Sequence, residues 1–403
     1  MNLTPWHEAS LTTLSYFWKA FWAFCLGYLI SAAIQIFVTR ERMQKAMGSA
    51  GAKSVVLATF FGFISSSCSF AALATTRALF RKGAGLIPSL AFLLASTNLV
   101  IELGIVIAIF LGWQFIVGEY AGGILLILVM IVVVKFSEPR SLVERVRRRM
   151  RDRAGGEASD QSEQRASGWR SKIRSRRQWG RVGSKYFMEW MMVWKDVTVG
   201  FTVAGIITVF VPRTFFEWLF IGTGDAAVPD FLATLEHALV GPLAAFFTFI
   251  GSMGNIPLAA VLFSNGVSFA GIMAFIFSDL IVFPVLRLNA KFYGWRLALY
   301  IAAVFLLCIV VSALAMHWSF AALDLLPRQQ TTSATTADRF ALNHTFWLNL
   351  AALGLSAGLA WLARHSGQSL GTEMVVGRGW IEKLLAVLAV VALVWLAGGL
   401  AVA

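Results

Sequence analysis

Charged residues are scarce in this sequence. They make up 14% of its 403 residues, whereas hydrophobic residues make up 58%, and the mean hydropathy is +0.73. A soluble globular domain has about 25% charged residues, so this composition excludes an ordinary soluble enzyme or binding module. Several apolar runs are long enough to cross about 30 Å of hydrocarbon as helices. We therefore predict an all-α polytopic membrane protein.

Cysteine is also scarce, and the common catalytic motifs are missing. Cys25, Cys68 and Cys308 all lie inside apolar runs and form no CxxC pair, so neither a disulfide framework nor a metal knuckle is predicted. The sequence contains no G-x-x-x-x-G-K-[ST], H-E-x-x-H or G-x-S-x-G motif. We therefore predict no cofactor, no bound metal and no ATP hydrolysis by this chain.

The positive charge is concentrated in one segment. The chain has a formal net charge of +13, and residues 137–196 are crowded with arginine around a Gly/Ser/Asp/Gln-rich middle. Basic segments beside membrane helices are typical of cytoplasmic loops, where they can contact anionic lipid headgroups. Nucleic-acid binding is not expected, because the segment contains no recognisable module of the kind in which nucleic-acid binders interleave aromatic and basic residues.

The basic segment separates two halves that share four landmarks in the same order. Leu79–Gly83 (LFRKG) matches Leu262–Gly266 (LFSNG), and an AF pair and then a GW pair follow in each half. Upstream, FISSSCS from Phe63 matches FIGSMGN from Phe249. Such spacing indicates an internal repeat, a common feature of transporters. We predict a first transmembrane repeat at 1–136, a basic cytoplasmic loop at 137–196, a second repeat at 197–316, and an external loop with two C-terminal transmembrane helices at 317–403.

The charge distribution restricts the topology. If all ten apolar runs crossed fully, the positive-inside bias would be violated repeatedly. The basic residues that would then lie outside are Arg40, Arg42, Lys45, Arg287, Lys291, Arg364, Arg378 and Lys383. The bias is restored if the second and sixth runs are hairpins, broken at Ser65–Ser69 (SSSCS) and Gly251–Asn255 (GSMGN). The runs are 14–38, 54–76, 86–111, 115–135, 197–211, 238–263, 268–286, 296–316, 341–362 and 384–402.

The hairpin interpretation predicts two inverted repeats, with about eight full crossings in all. Each half then has three crossings and one hairpin, so the hairpins enter from opposite sides and meet near the midplane. Broken backbone is tolerated at membrane depth only inside protein or beside a wet cavity. The alternative is one plain crossing over residues 54–76, with its serines bonded to their own helix.

The residues around these breaks resemble the predicted permease family that includes the organoarsenical-efflux (ArsP-type) permeases. The resemblance covers about 14–136 and 197–316 and rests on SSSCSFAALATTRALFRKGA, LAFLLASTNLVIELG and SMGNIPLAAVLFSNGVSFAG. It implies a permease fold. Where members often carry C-S-C followed by proline, this chain has Cys68, Ser69, Phe70 and then Ala74, and Gly251 replaces a second cysteine.

The missing thiols argue against a soft-metal substrate, because such sites collect two or more sulfurs. We expect Cys68 to be a small polar lining group, with a ligand role as the alternative. The predicted substrate-binding residues are Ser65, Ser66, Ser67, Cys68, Ser69, Ser96, Thr97, Asn98, Ser252, Asn255 and Pro257.

Two carboxylates inside apolar runs, Asp279 and Glu102, are candidates for proton coupling. Ionisable groups at membrane depth are costly and commonly functional, although Glu102 near a run end has the alternative role of snorkelling to the interface. We predict a secondary permease in the cell membrane, most simply an exporter, for a small molecule or ion. The alternatives are a channel-like pore of the same fold and, with less support, a membrane-embedded enzyme. The sequence predicts no oligomeric state.

Overall fold

The computed structural model describes residues 4–37, 52–65, 69–81, 84–153, 176–222, 230–248, 251–328, 342–367 and 380–402. Within these ranges, every regular element is helical. The helices are α1 (Pro5–Phe37), α2 (Ala52–Ser65), α3 (Ser69–Arg81), α4 (Leu86–Asn98), α5 (Ile101–Phe110), α6 (Trp113–Ser137), α7 (Arg140–Arg153), α8 (Arg176–Phe210), α9 (Arg213–Leu219), α10 (Asp230–Thr248), α11 (Ser252–Ser264), α12 (Phe269–Phe277), a 3-10 turn (Ser278–Leu280), α13 (Phe283–Tyr293), α14 (Trp295–Ala322), α15 (His344–His365) and α16 (Trp380–Ala401).

These helices confirm the prediction of an all-α polytopic membrane protein. In the described part of the chain, seven are long and apolar enough to cross a membrane: α6, α8, α10, α12 with α13, α14, α15 and α16. α4 and α5 make an eighth span if they are counted together, with a bend of 42° between them. α1 has 33 residues and is therefore about 50 Å long, more than the hydrocarbon thickness.

Four long helices, α1, α8, α15 and α16, pack into one bundle. The Tyr16 hydroxyl of α1 lies 3.1 Å from the Thr208 hydroxyl near the end of α8, and Gln35 donates to Glu189 nearer its start. α1 and α8 are therefore antiparallel, and the end of α1 at Phe37 lies at the end of the bundle where α8 begins. α8 begins at Arg176, within the segment predicted as loop.

The two short helices α2 and α3 both pack against α4. α4 has 13 residues and is about 20 Å long, so both helices contact a partner no longer than themselves. At the end of α3, Arg147 of the basic helix α7 stacks over the Phe80 ring at 4.8 Å and donates to the Ala84 carbonyl at 2.8 Å. The C-terminal end of α3 therefore lies against the basic helix.

The second pair of helices, α10 and α11, also folds back on itself. α10 is long enough to cross, but the Ser268 backbone N–H just beyond α11 donates to His237 Nδ1 in the first half of α10, at 2.9 Å. The loop after α11 has therefore returned to the end where α10 begins. The His237 ring then points its Nε2 at the Ile221 carbonyl, 3.0 Å away.

A glycine with positive φ precedes the helix that follows each interrupted span, α4–α5 and α12–α13. Gly112 has φ 100° before α6, and Gly294 has φ 87° before α14. Residues with a Cβ atom rarely adopt this conformation, so glycine suits both positions. These are the glycines of the two GW landmarks.

Candidate functional site

Asp279 lies where the span α12–α13 is interrupted by the 3-10 turn, and it is 1% exposed. The Ser252 hydroxyl, in the first residue of α11, donates to Asp279 Oδ2 at 2.6 Å. This length is typical of a hydroxyl bonded to a charged oxygen. The hydrogen bond joins the start of the second helix of the hairpin to the broken span, and it brings two predicted site residues together.

Asn98 lies at the other interrupted span, where α4 ends before α5. It is 1% exposed, and its Nδ2 atom has no hydrogen-bond partner among the described residues. Next to it, the Val100 carbonyl, which accepts the Gly104 backbone N–H at 3.4 Å, also accepts a hydrogen bond from the Tyr120 hydroxyl of α6, at 3.3 Å. Helix α6 therefore stabilises this break.

Ser96 and Thr97, predicted with Asn98, are satisfied within their own helix. The Ser96 hydroxyl donates to the Leu93 carbonyl at 3.0 Å, and the Thr97 hydroxyl donates to the same carbonyl at 3.1 Å. Both side chains are buried. Of the three, Asn98 is the one with a polar atom left for a ligand.

Glu119 of α6 is a site residue that the sequence analysis missed. It is 0% exposed, and neither carboxylate oxygen has a hydrogen-bond partner among the described residues. The Asp279 carboxyl is close enough to interact with it electrostatically. The available signal was simple: Glu119 is an acidic residue inside the apolar run 115–135.

Asp196 of α8 is a second missed carboxylate, and it faces the start of α11. Its Oδ2 atom lies 3.2 Å from the position that a Cβ atom on Gly251 would occupy. Gly251 is the N-cap of α11, and helix N-termini favour nearby anions. Asp196 is half-buried, so it is the more accessible of the two missed carboxylates.

Glu102 is buried in the first turn of α5, a helix that packs against α1, α6 and α11. α1 packs closely on it, because a Cβ atom on Gly27 would overlap its Cβ. The charge of Glu102 acts on Tyr120, as does that of Glu119. The structure therefore connects Glu102 to Tyr120, and Asp279 to Ser252.

The remaining predicted residues belong to the helix pairs α2/α3 and α10/α11 or to the segment between α2 and α3. Ser65 is buried at the end of α2, and Asn255 and Pro257 are buried in α11. Ser69 begins α3, and Ser66, Ser67 and Cys68 lie outside the described residues. The structure thus places Ser252 and Asp279 in direct contact and leaves the contribution of the SSSCS segment as a prediction.

The polar groups of this site are acidic, amide and hydroxyl groups carried by α4, α6, α8, α11 and the 3-10 turn. Over the described ranges, no cluster of three or more His, Cys, Asp or Glu side chains could hold a metal ion. Such a set can bind a solute through hydrogen bonds and can hold or release a proton.

Comparisons with known proteins agree with this membrane architecture. A family model described as "Predicted permease" matches residues 5–318. A Mycobacterium tuberculosis protein named "Putative permease Rv2963" is 35% identical over 327 residues, covering 80% of this chain and 79% of that protein. No solved structure matches the chain.

Proposed function

We propose that this chain, which belongs to the predicted permease family, is a secondary transporter that exports a small solute by alternating access. Family membership places the chain among membrane permeases. The finer proposal concerns where the solute binds, how transport is coupled and in which direction it runs.

The observation that carries the proposal is the hydrogen bond between Ser252 and Asp279. It connects the start of α11 with an interrupted span at membrane depth. Transporters commonly bind substrate and coupling ions at discontinuous helices, where backbone and polar side chains line a cavity. We place the solute between the SSSCS and GSMGN breaks, with Ser252, Asn255 and Asn98 as hydrogen-bonding groups and Asp279 as the coupling group.

The order of elements supports two inverted repeats. The first half contains α1, the pair α2/α3, the interrupted span α4–α5 and α6. After the basic segment, the second half contains α8, the pair α10/α11, the interrupted span α12–α13 and α14. Gly112 and Gly294 occupy the same place in both series. Three crossings and one hairpin in each half give the halves opposite orientations, which suits rocking about a central site.

The basic segment supports an assignment to the cell membrane, with residues 137–196 in the cytoplasm. Helix α7 carries Arg145, Arg147 and Arg148, and the positive-inside bias favours a cytoplasmic position for it. Anionic lipid headgroups are the partner that its charge suits best.

Counterflow in proteoliposomes tests the proposed function. A solute is first identified from the sensitivities of a deletion strain to a panel of toxic solutes. Vesicles containing the protein are then loaded with unlabelled solute, and uptake of labelled solute from outside is followed. A carrier with alternating access gives transient accumulation of label and saturates with concentration. A flux that rises linearly with concentration and shows no counterflow would instead identify a channel-like pore.

A further inference from the structure

Glu119 is a fully buried carboxylate with no hydrogen-bond partner in the described chain. An ionised carboxylate in such a position is strongly unfavourable unless it is paired or neutralised. A structural role alone gives no reason for an acidic residue there, since an apolar residue would avoid this penalty. The buried position of Glu119 therefore indicates a carboxyl group that binds and releases a positively charged ion.

The face of α6 that carries Glu119 lies between the two interrupted spans. A Cβ atom on Gly122 would lie 2.9 Å from the Phe277 ring at the end of α12, and one on Gly123 would lie 3.7 Å from Asn98 Cβ at the end of α4. Successive residues in a helix are rotated by about 100°. Glu119 therefore falls between Gly122 and Gly123 around the helix axis, one turn nearer the start of α6.

Asp279 completes the arrangement from the next element. It follows Phe277 by two residues, and its charge acts on Glu119. Two carboxylates close together in an apolar environment cannot both be ionised without a large penalty, so such a pair retains a proton. One Asp279 oxygen already accepts the Ser252 hydroxyl, which orients this carboxyl relative to α11.

We propose that Glu119 and Asp279 form a carboxyl pair that binds one exchangeable proton, with Glu119 as a second coupling residue. The proposal rests on the permease function above and adds the group with which Asp279 shares its proton. When the proton is bound, the pair carries one negative charge; when it leaves, both carboxylates repel each other. The break at Asp279 therefore exists in two charge states. Because of the repulsion, the two states differ in whether they favour a closed site or a hydrated site.

Asp196 is half-buried and lies beside the start of α11. Ser252, the first residue of α11, links that helix terminus to Asp279 through its hydroxyl. α6 and the elements that pack on it, on α11 or on the 3-10 turn carry further titratable groups, among them Tyr120 on α6, Glu102 on α5, Lys195 on α8, Glu236 and His237 on α10, Cys308 and His317 on α14, and Arg287, Lys291 and Tyr293 on α13.

A proton fits this pair better than a divalent metal ion does. Calcium takes six to eight oxygen ligands and magnesium requires an octahedral set, whereas a proton needs only one acceptor. Sodium is the competing small cation, and the experiment includes it as a separate arm.

Labelling with dicyclohexylcarbodiimide tests the pair without knowledge of the solute. This apolar reagent modifies protonated carboxyl groups in membrane-embedded sites, and mass spectrometry identifies the modified residue. The full-length wild-type protein in lipid nanodiscs is labelled over a series of pH values. We expect modification at Glu119 or Asp279 and none at Glu144, an exposed carboxylate on α7.

The variant D279N tests whether the two carboxyls share a proton. D279N removes the negative charge beside Glu119. Glu119 should therefore lose its proton, and with it the labelling, at a lower pH than in the wild type. The control E144Q should leave the labelling curve of Glu119 in place. An identical Glu119 curve in D279N and wild type would overturn the proposal, as would labelling of neither carboxyl in the wild type at the lowest pH at which the protein stays folded.

The sodium arm identifies the cation. Labelling is repeated in sodium chloride and in choline chloride at equal ionic strength. We expect the same labelling in both salts, and protection by sodium alone would overturn the assignment to a proton. Because labelling is measured without any flux, these outcomes are independent of the counterflow experiment, whose failure would instead remove the transport function.

Discussion

Ser252 connects two elements through a single hydroxyl group. The hydrogen bond to Asp279 is 2.6 Å long, and the Asp279 side chain is 1% exposed. Hydrogen bonds to charged groups contribute about 1.5–3 kcal/mol. The position of α11 relative to the broken span therefore depends measurably on this side chain.

Ser252→Ala should lower the initial rate of transport by about tenfold or more, since a loss of about 1.4 kcal/mol corresponds to a factor of ten. The matched control is Ser264→Ala on the same helix, whose hydroxyl bonds back to the Val261 carbonyl at 2.8 Å. Initial rates of solute uptake by the two variants, at equal amounts of reconstituted protein, check this expectation. Equal rates would show that the bond to Asp279 does not organise the site.

The sequence predicted part of this site, and the structure explains the remainder. Ser252 and Asp279 were found because polar residues stand out in an apolar run. Glu119 is equally conspicuous as an acidic residue, but it lies in a Gly-rich stretch near the end of an apolar run. Its importance depends on Asp279, which is 160 residues away in the sequence. Asp196 next to Lys195 is typical of an exposed ion pair. Only the packing of α8 on α11 places it at Gly251.

Helices α8 and α11 cross at two glycines. A Cβ atom on Gly200 would lie 2.7 Å from the Gly254 Cα atom, a separation that real Cβ atoms do not show. The start of α11, with Ser252, depends on this close approach of two backbones, as do other membrane helix pairs built on small residues.

Gly200→Ala should destabilise the folded protein by about 1–3 kcal/mol, the usual cost of overpacking. The matched control is Gly354→Ala on α15, where the added Cβ atom would meet nothing within 4 Å and where alanine is the better helix former. Thermal unfolding of the purified variants, followed by tryptophan fluorescence, should show a lower midpoint for Gly200→Ala alone. A midpoint equal to that of Gly354→Ala would contradict the crossing.

The elements themselves were largely predictable, and their internal breaks were only partly so. Each of the ten apolar runs overlaps a helix, because hydrocarbon requires helical hydrogen bonding. The break after Asn98 was missed, since Leu99 and Val100 are as apolar as the helix around them. The start of α8 was also missed, because its first turns are basic and are held by packing on α1 and α15.

At the scale of the whole molecule, the basic segment is attached to one end of the helix bundle. The ends of α1 and α15 and the start of α8 lie at one end of their bundle, as shown by Gln35 beside Glu189 and by Arg176 over the Trp361 ring at 4.8 Å. The basic segment is attached at this end. Because of the positive-inside bias, we propose that this end faces the cytoplasm.

Single cysteines placed on a cysteine-free background test this orientation. Cysteines at Arg42 and Arg81 should react with a membrane-impermeant maleimide only from the cytoplasmic side, and those at Asp225 and Ser264 only from outside. The reason is that a hairpin returns the chain to the side from which it entered. Labelling of positions 42 and 81 from opposite sides would instead establish a plain crossing over residues 54–76.

Coupled transport through Asp279 is the central claim, and one measurement tests it most directly. Wild-type protein and Asp279→Asn, a substitution that keeps the shape but removes the titratable group, are reconstituted into proteoliposomes with an imposed pH gradient. The account predicts that wild type accumulates the solute against its concentration gradient. It predicts that Asp279→Asn loses this accumulation while downhill exchange stays detectable. Accumulation by Asp279→Asn at the wild-type level would contradict the account.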